Sequence, residues 1–398
     1  MKKVLTLSIT LLSLCAFAQQ TITSISNGIA TNPLVWDCSC IPQTGDDITI
    51  NHAIQMNSDW LVNGSGSLTV SNTGSLIEDS QSRSILFDGG VVFTNQGTTE
   101  MTNFAFTNGA EAHNYGTLSL DTGLYVDQNS TFMNHGLVKD VDSTLTQGMF
   151  MNEGTYSQGD FLNEGMMTNT GYITADSLLN TGTLNTSAGN LTTYDFGNTG
   201  ILNVTGSSYI IVNDDFWNSG ALYLAAGRDI RIAHDMVNSH QSGTASVNND
   251  GLIEIGNDFS NIDTLRGSGV FCIANNSLNT GDVKGTLDIC DNTSVSHFDA
   301  NTGNIEATVT NCTTGCSVGV EENVLSEKEI SIYPNPVSTK LNIESDTNYK
   351  MLLVDVMGNV ILDQKVVNTL DVSSLKTGVY FIKFTGSDFS KTLKFVKK

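Results

Sequence analysis

One short pattern recurs along most of the 398-residue chain: an apolar residue, any residue, Asn, any residue, then usually Gly. Clear copies are Phe93–Asn95–Gly97, Phe132–Asn134–Gly136, Phe150–Asn152–Gly154, Phe161–Asn163–Gly165, Leu178–Asn180–Gly182, Phe196–Asn198–Gly200 and Phe216–Asn218–Gly220. Weaker copies end on Asn238 and Asn261, and Asn114-Tyr-Gly116 fills the first gap. Successive asparagines lie 19, 20, 18, 11, 17, 18, 20, 20 and 23 residues apart. A period near 19 is too short for helical-hairpin repeats or propeller blades. It fits one coil of a parallel β-helix, with three short strands and three turns per rung. Runs such as Gly116-Thr-Leu118-Ser-Leu120 and Gly200-Ile-Leu202-Asn-Val204 alternate with period two, as strands do.

This predicts the role of each repeated residue. Asn at one corner of every coil stacks as a ladder of amides. The Phe two positions earlier points inward and stacks on its copies. Gly supplies the left-handed backbone that a tight corner demands. The repeated residues are therefore corners and core rather than a binding code. At ~4.8 Å per rung, about thirteen coils make a rod about 60 Å long.

The fold class expected is all-β: a right-handed parallel β-helix followed by a small immunoglobulin-like β-sandwich. Charge draws the boundary. The stretch 19–325 holds 6 basic and 33 acidic residues, against 10 and 8 from Ser326 onward. Such an acidic body repels phosphates, which excludes nucleic acid as a partner. At the N-terminus, Lys2-Lys3, an apolar run from Val4 to Phe17 and Ala16-Phe17-Ala18 read as a secretory signal peptide cleaved between Ala18 and Gln19. Leu14 before Cys15 argues against lipidation. The divisions are 1–18 signal peptide, 19–316 solenoid with its N-terminal cap, 317–329 linker and 330–398 terminal domain.

After cleavage six cysteines remain, an even number that favours disulfides in an exported chain. Cys272 and Cys290 lie one coil apart, and Cys312 and Cys316 flank a short turn, so these two pairings are expected. Cys38 and Cys40 would form a strained close pair. A zinc site using these cysteines with His297 conflicts with an oxidising location.

Two stretches resemble known families. Trp36, Pro42, Gly45-Asp46-Asp47-Ile48 and His52 resemble the opening of β-helical surface proteins of the Bacteroidetes, which implies a first rung. The terminal domain opens with Ile332-Tyr333-Pro334-Asn335-Pro336 and continues through Val354-Asp355-Val356-Met-Gly358 and Gly378-Val379-Tyr380 to Lys391, Lys394 and Lys397. This order closely resembles the type A sorting domain of the type IX secretion system. The resemblance implies Sec-dependent export, outer-membrane passage directed by these residues, and removal of the domain by a sortase-like protease. Attachment to surface lipopolysaccharide or release would follow, placing the body on the cell surface or outside the cell.

Catalysis has one candidate constellation, Asp214, Asp215, Arg228 and Arg231, suited to a polysaccharide lyase or hydrolase of the pectin-lyase type. The Gly-His-Gly and Arg-x-Lys signatures of polygalacturonases are absent, and the arginines read rather as partners of Asp229 and Asp235 on a solvated face. His113, His135, His234 and His240 are scattered along the chain. Glu153, Glu164 and Asp160 are candidate ligands for structural calcium, without the repeat that builds calcium rolls. No other cofactor or metal is expected. The functional expectation is a non-catalytic adhesive or structural protein that contacts a glycan or matrix ligand, with the carbohydrate-active enzyme as alternative.

Overall fold

The computed structural model describes residues 19–240, 246–312, 316, 331–344, 350–355, 360–365, 368–385 and 390–398. The expected signal peptide, 1–18, and the expected linker, 317–329, lie outside them. The chain divides into two compact units, Met1–Val318 and Gly319–Lys398.

The first unit is a parallel β-solenoid. One face is a sheet of fifteen strands, beginning Thr21–Thr23, Asp47–Ile50 and Ser67–Val70 and ending Thr264–Gly267, Asp282–Val283 and Asn304–Ile305. Every coil then runs through a second and a third face. In middle coils these are one bent strand, such as Thr117–Val126; in later coils they separate, as in Tyr209–Val212 and Phe216–Asn218. Pairing between rungs is parallel and residue-for-residue, Phe132 opposite Phe150 and Asn134 opposite Asn152. Side chains therefore line up in columns along the rod. The Gly-Asp-Asp segment makes the second strand of the long sheet rather than the first, because Thr21–Thr23 pairs ahead of it.

The alternation read from the sequence sorts the columns. Phe93, Phe132, Phe150, Phe161, Phe196 and Phe216 are buried, and stacked pairs run along the core, with Phe132 and Phe150 ring centres 5.4 Å apart.

Two asparagine ladders are present where one was expected. The first runs at the end of the long sheet's strands: Asn95, Asn114, Asn134, Asn152 and Asn169. Each Nδ2 donates to the Oδ1 of the next, at 2.8, 2.8, 2.7 and 2.9 Å. The second runs at the end of the third face, from Asn163 through Asn180, Asn198, Asn218, Asn238, Asn261 and Asn279 to Asn301, at 2.6 to 2.9 Å. The 11-residue interval between Asn152 and Asn163 is the step from one corner to the other. Asn169, in Met167-Thr-Asn169-Thr-Gly171, is a copy the sequence reading passed over. The second amide hydrogen usually goes to a backbone carbonyl one coil on, as from Asn180 to Ile201 O at 2.9 Å. Apart from Asn163 Oδ1, the ladder amides are thereby satisfied without water.

The corner glycines serve a purpose other than the one expected. None of those in the Asn-x-Gly copies has a positive φ. A Cβ on Gly116, Gly154, Gly182, Gly200 or Gly220 would instead lie 2.0–2.1 Å from the carbonyl oxygen of the glycine one coil back. The requirement is close approach between stacked backbones.

The second ladder has a defective start. Thr146 occupies the corner one rung before Asn163, and neither its Oγ1 nor Asn163 Oδ1 has a hydrogen-bond partner although both are buried. Thr146→Asn is expected to extend the ladder by one rung and raise stability by about 1 kcal/mol. A lower melting temperature for this variant would contradict that extension.

At the C-terminal end of the rod the disulfides are Cys272–Cys316 and Cys290–Cys312, with Cα separations of 5.7 and 4.3 Å. The expected Cys272–Cys290 and Cys312–Cys316 pairings are replaced. Cys272 and Cys290 are indeed opposite each other on neighbouring rungs, but in-register side chains of a parallel sheet point the same way, ~4.8 Å apart. Cys272 bonds to Cys316 and Cys290 to Cys312 instead. Cys38 and Cys40 are bonded, 5.1 Å apart.

The second unit has two antiparallel sheets. One holds Ser331–Tyr333, Lys340–Glu344 and Thr369–Asp371; the other holds Val360–Lys365, Lys350–Asp355, Gly378–Thr385 and Ser390–Lys397. A single core of Val337, Leu341, Ile343, Met351, Leu353, Ile382, Phe384 and Phe395 joins them as a sandwich.

Candidate functional site

Register stacking turns the outer residues of the rod into columns as regular as its core, and one column stands apart chemically. On the third face it runs Leu61, Leu86, Ala105, Tyr125, Leu145, Leu162, Leu179, Gly197, Trp217, Val237, Ser260, Leu278 and Ala300. Only Gly197 and Ser260 interrupt an apolar stripe thirteen rungs long, or about 58 Å at ~4.8 Å per rung. Leu61, Trp217 and Leu278 are 40–43% exposed, and the other side chains between them partly so. The Trp217 ring covers Gly197: a Cβ there would meet its Cζ3 at 2.6 Å and Leu179 Cδ1 at 3.0 Å. The edge of the indole that carries Cζ3 and Cη2 therefore lies over Gly197.

Carboxylates flank this stripe. Asp215, Asp235 and Asp258 stand at the turn before the third face in successive rungs. Asp215 Oδ1 accepts from Asp235 N, Asp235 Oδ1 from Asp258 N, and Asp258 Oδ1 from Asn276 N, each at 3.0 Å. These aspartates hold the turns in register and leave lone pairs outward. Asp235 is thus a turn residue, not a partner of the arginines. Arg231 pairs with Glu254 at 3.0 Å and with Asp229 at 3.8 Å.

Of the candidate catalytic residues, Arg228 stands apart from the aspartates. Tyr209–Val212 and Asp229–Ile232 pair in register, which puts Arg228 before the second face and Asp214 after it. The four-residue strand Tyr209–Val212, about 13 Å long, lies between the two positions. Asp214 and Asp215 lie instead beside His234, whose Nδ1 is 3.5 Å from an oxygen of each. The three donor atoms fall within 4.8 Å of one another. Of the candidate calcium ligands, Glu153 binds His135 Nδ1 at 2.8 Å and Glu164 accepts from Gln147 at 2.8 Å. Asp160 is exposed. His240 lies 3.0 Å from Asp263. Inside the rod, Tyr156 bonds Thr144 at 2.8 Å, and burial pushes its hydroxyl pKa up.

The N-terminal cap is built by the residues the sequence singled out. Trp36 is buried, with its indole N–H on Ala30 O at 2.9 Å. Asp46 accepts from Gln20 N and Gln43 N, and His52 Nδ1 lies 2.9 Å from Ser24 O. Gln19 begins the described chain and donates to Asp47 and to Ser65 O. A cavity of about 880 Å³ lies here between Gln19, Cys40, Thr44 and Ser65.

In the terminal sandwich, Asn335 clamps the opening motif onto the last strand. Its Nδ2 donates to Lys394 O and its Oδ1 accepts from Val396 N, both at 2.9 Å. Tyr333 and the prolines Pro334 and Pro336 are exposed, and both prolines follow cis bonds. Tyr380 donates to Lys376 O at 2.8 Å and stacks on Phe395. Gly378 and Val379 start the strand carrying Tyr380. Lys394 is exposed, whereas Lys397 is 7% exposed and bonds to Lys398 O. Lys391 pairs with Phe384 through the backbone. Gly358 lies outside the described residues.

Residues 331–398 match the family described as secretion system C-terminal sorting domain. No curated protein and no solved structure matches the chain. The chain thus carries a type IX sorting tail on a β-solenoid body, and the tail implies export to the cell surface or extracellular space through the type IX machinery.

Proposed function

We propose that the exported rod is a non-catalytic adhesive protein whose apolar stripe engages an uncharged polysaccharide. The observation that carries this is the stripe itself: thirteen rungs of outward apolar side chains, broken only at Gly197 and Ser260, rimmed by carboxylates and carrying the Trp217 indole. Pyranose rings present C–H faces that stack on apolar and aromatic groups, while their hydroxyls donate to carboxylates. A body with a balance of -27 disfavours anionic polymers. Sec-dependent delivery, removal of the tail by a sortase-like protease and lipopolysaccharide attachment complete this reading, as the sorting-domain resemblance implies.

Sedimentation with insoluble neutral glucan or chitin tests it. Leu145→Asp combined with Leu179→Asp is expected to weaken retention about tenfold while the melting temperature stays near that of the parent. Retention unchanged in this double variant would sink the proposal. The enzymatic alternative predicts new reducing ends in the same incubation, and the adhesive reading predicts none.

A further inference from the structure

The long sheet carries a second unusual group on its outer side, well apart in kind from the apolar stripe. Met133 and Met151 occupy one outward column on neighbouring rungs, and Met149 and Met166 occupy the adjacent column on neighbouring rungs. Met149 and Met151 belong to the same strand, Met149–Asn152. The four therefore form a compact S shape centred on that strand, with Met133 on one side and Met166 on the other. From strand geometry, all four Cα atoms fall within about 6 Å of the midpoint between Met149 and Met151. A thioether arm with three rotatable bonds spans that distance. Met149 and Met166 are 41% and 50% exposed, and Met133 and Met151 are partly exposed. In the same two columns the bordering positions hold His113, Thr131, Thr168 and Thr183, so a run of sulfur interrupts an otherwise polar surface.

We propose that Met133, Met149, Met151 and Met166 form a binding site for a soft monovalent cation, Cu(I) or its analogue Ag(I). Neutral thioethers select such ions over Zn(II), Ca(II) or Mg(II), which need imidazole, thiolate or oxygen donors. Thioether arms long enough to meet above one strand can supply the low coordination number that a d¹⁰ ion accepts. Acidic surroundings raise the local concentration of any cation. An apolar docking patch would use the same surface differently, since leucine would serve it as well as methionine. Only a metal site requires the sulfur.

The test uses the full chain with its thiols alkylated, titrated with Cu(I) anaerobically against a chromophoric bicinchoninate competitor. One equivalent withdrawn from the competitor is expected. Met149→Leu combined with Met151→Leu, which conserves volume and apolarity, is expected to weaken uptake at least tenfold. Met133→Leu combined with Met166→Leu serves as the independent pair should the first fail to fold. Failure of the parent chain to compete, or equal uptake by a folded leucine variant, overturns the proposal. Both outcomes are separate from polysaccharide retention, which these variants are expected to leave unchanged.

Discussion

Gly182→Ala is expected to destabilise the rod by at least about 3 kcal/mol, because the added methyl has nowhere to go. It would stand 2.1 Å from Gly165 O and 2.7 Å from the Glu164 carbonyl. Relief by backbone movement would break the bonds that set the rung, from Gly182 N to Asn163 O at 3.0 Å and from Thr183 N to Gly165 O at 2.8 Å. The same column continues through Gly200 and Gly220, so a shift at one rung propagates to its neighbours. Gly227 provides the internal contrast. It has φ of +70° and nothing within 4 Å of the place a methyl would occupy, so its replacement by Ala is expected to cost only about 1 kcal/mol of backbone strain. Thermal melting and limited proteolysis around 165–182 measure both. Equal melting of the two variants would show that close approach is not what these glycines supply.

Asn198→Ala is expected to cost about 3–5 kcal/mol. The change leaves Asn180 Nδ2 without its acceptor at 2.7 Å and Asn218 Oδ1 without its donor at 2.7 Å, both inside a fully buried corner. It also opens space where an amide stood. Removing a chain of polarised amides in its middle should cost more than removing one at its end. Asn301→Ala, at the exposed end of the same ladder, is therefore expected to cost a fraction of that. Because Asn152 and Asn180 belong to different ladders, Asn152→Ala and Asn180→Ala are expected to add with little coupling. A melting temperature for Asn198→Ala within a degree or two of the parent would refute the ladder as a source of stability.

The solenoid was legible in the sequence because every coil restates the same local demands. Alternation named the inward residues, and Phe132, Phe150 and Phe196 are core as read. The double ladder was hidden because an Asn-x-Gly corner looks alike wherever it falls in the coil. Only the short step from Asn152 to Asn163 betrayed it. The corner glycines were found for the right positions and the wrong reason, since contact between coils leaves no trace in a linear pattern. The outward columns were also in view. Leu162, Leu179 and Trp217 are the unspecified residue between the apolar residue and Asn in the second ladder's copies, and Met133 and Met151 hold that place in the first. Their significance depends on register, which turns separate variable positions into continuous surfaces. Cysteine pairing was the least legible feature, because it depends on where Cys312 and Cys316 come to lie against the last rungs.

Those last rungs give the rod a mechanical polarity. Cys272–Cys316 and Cys290–Cys312 fasten its C-terminal coils across 44 and 22 residues of chain, while Cys38–Cys40 closes a loop too small to tie one coil to another. Under tension the C-terminal end is riveted and the opposite end is free to peel, coil by coil. A load taken up along the side of such a fibre meets its strongest resistance at the riveted end.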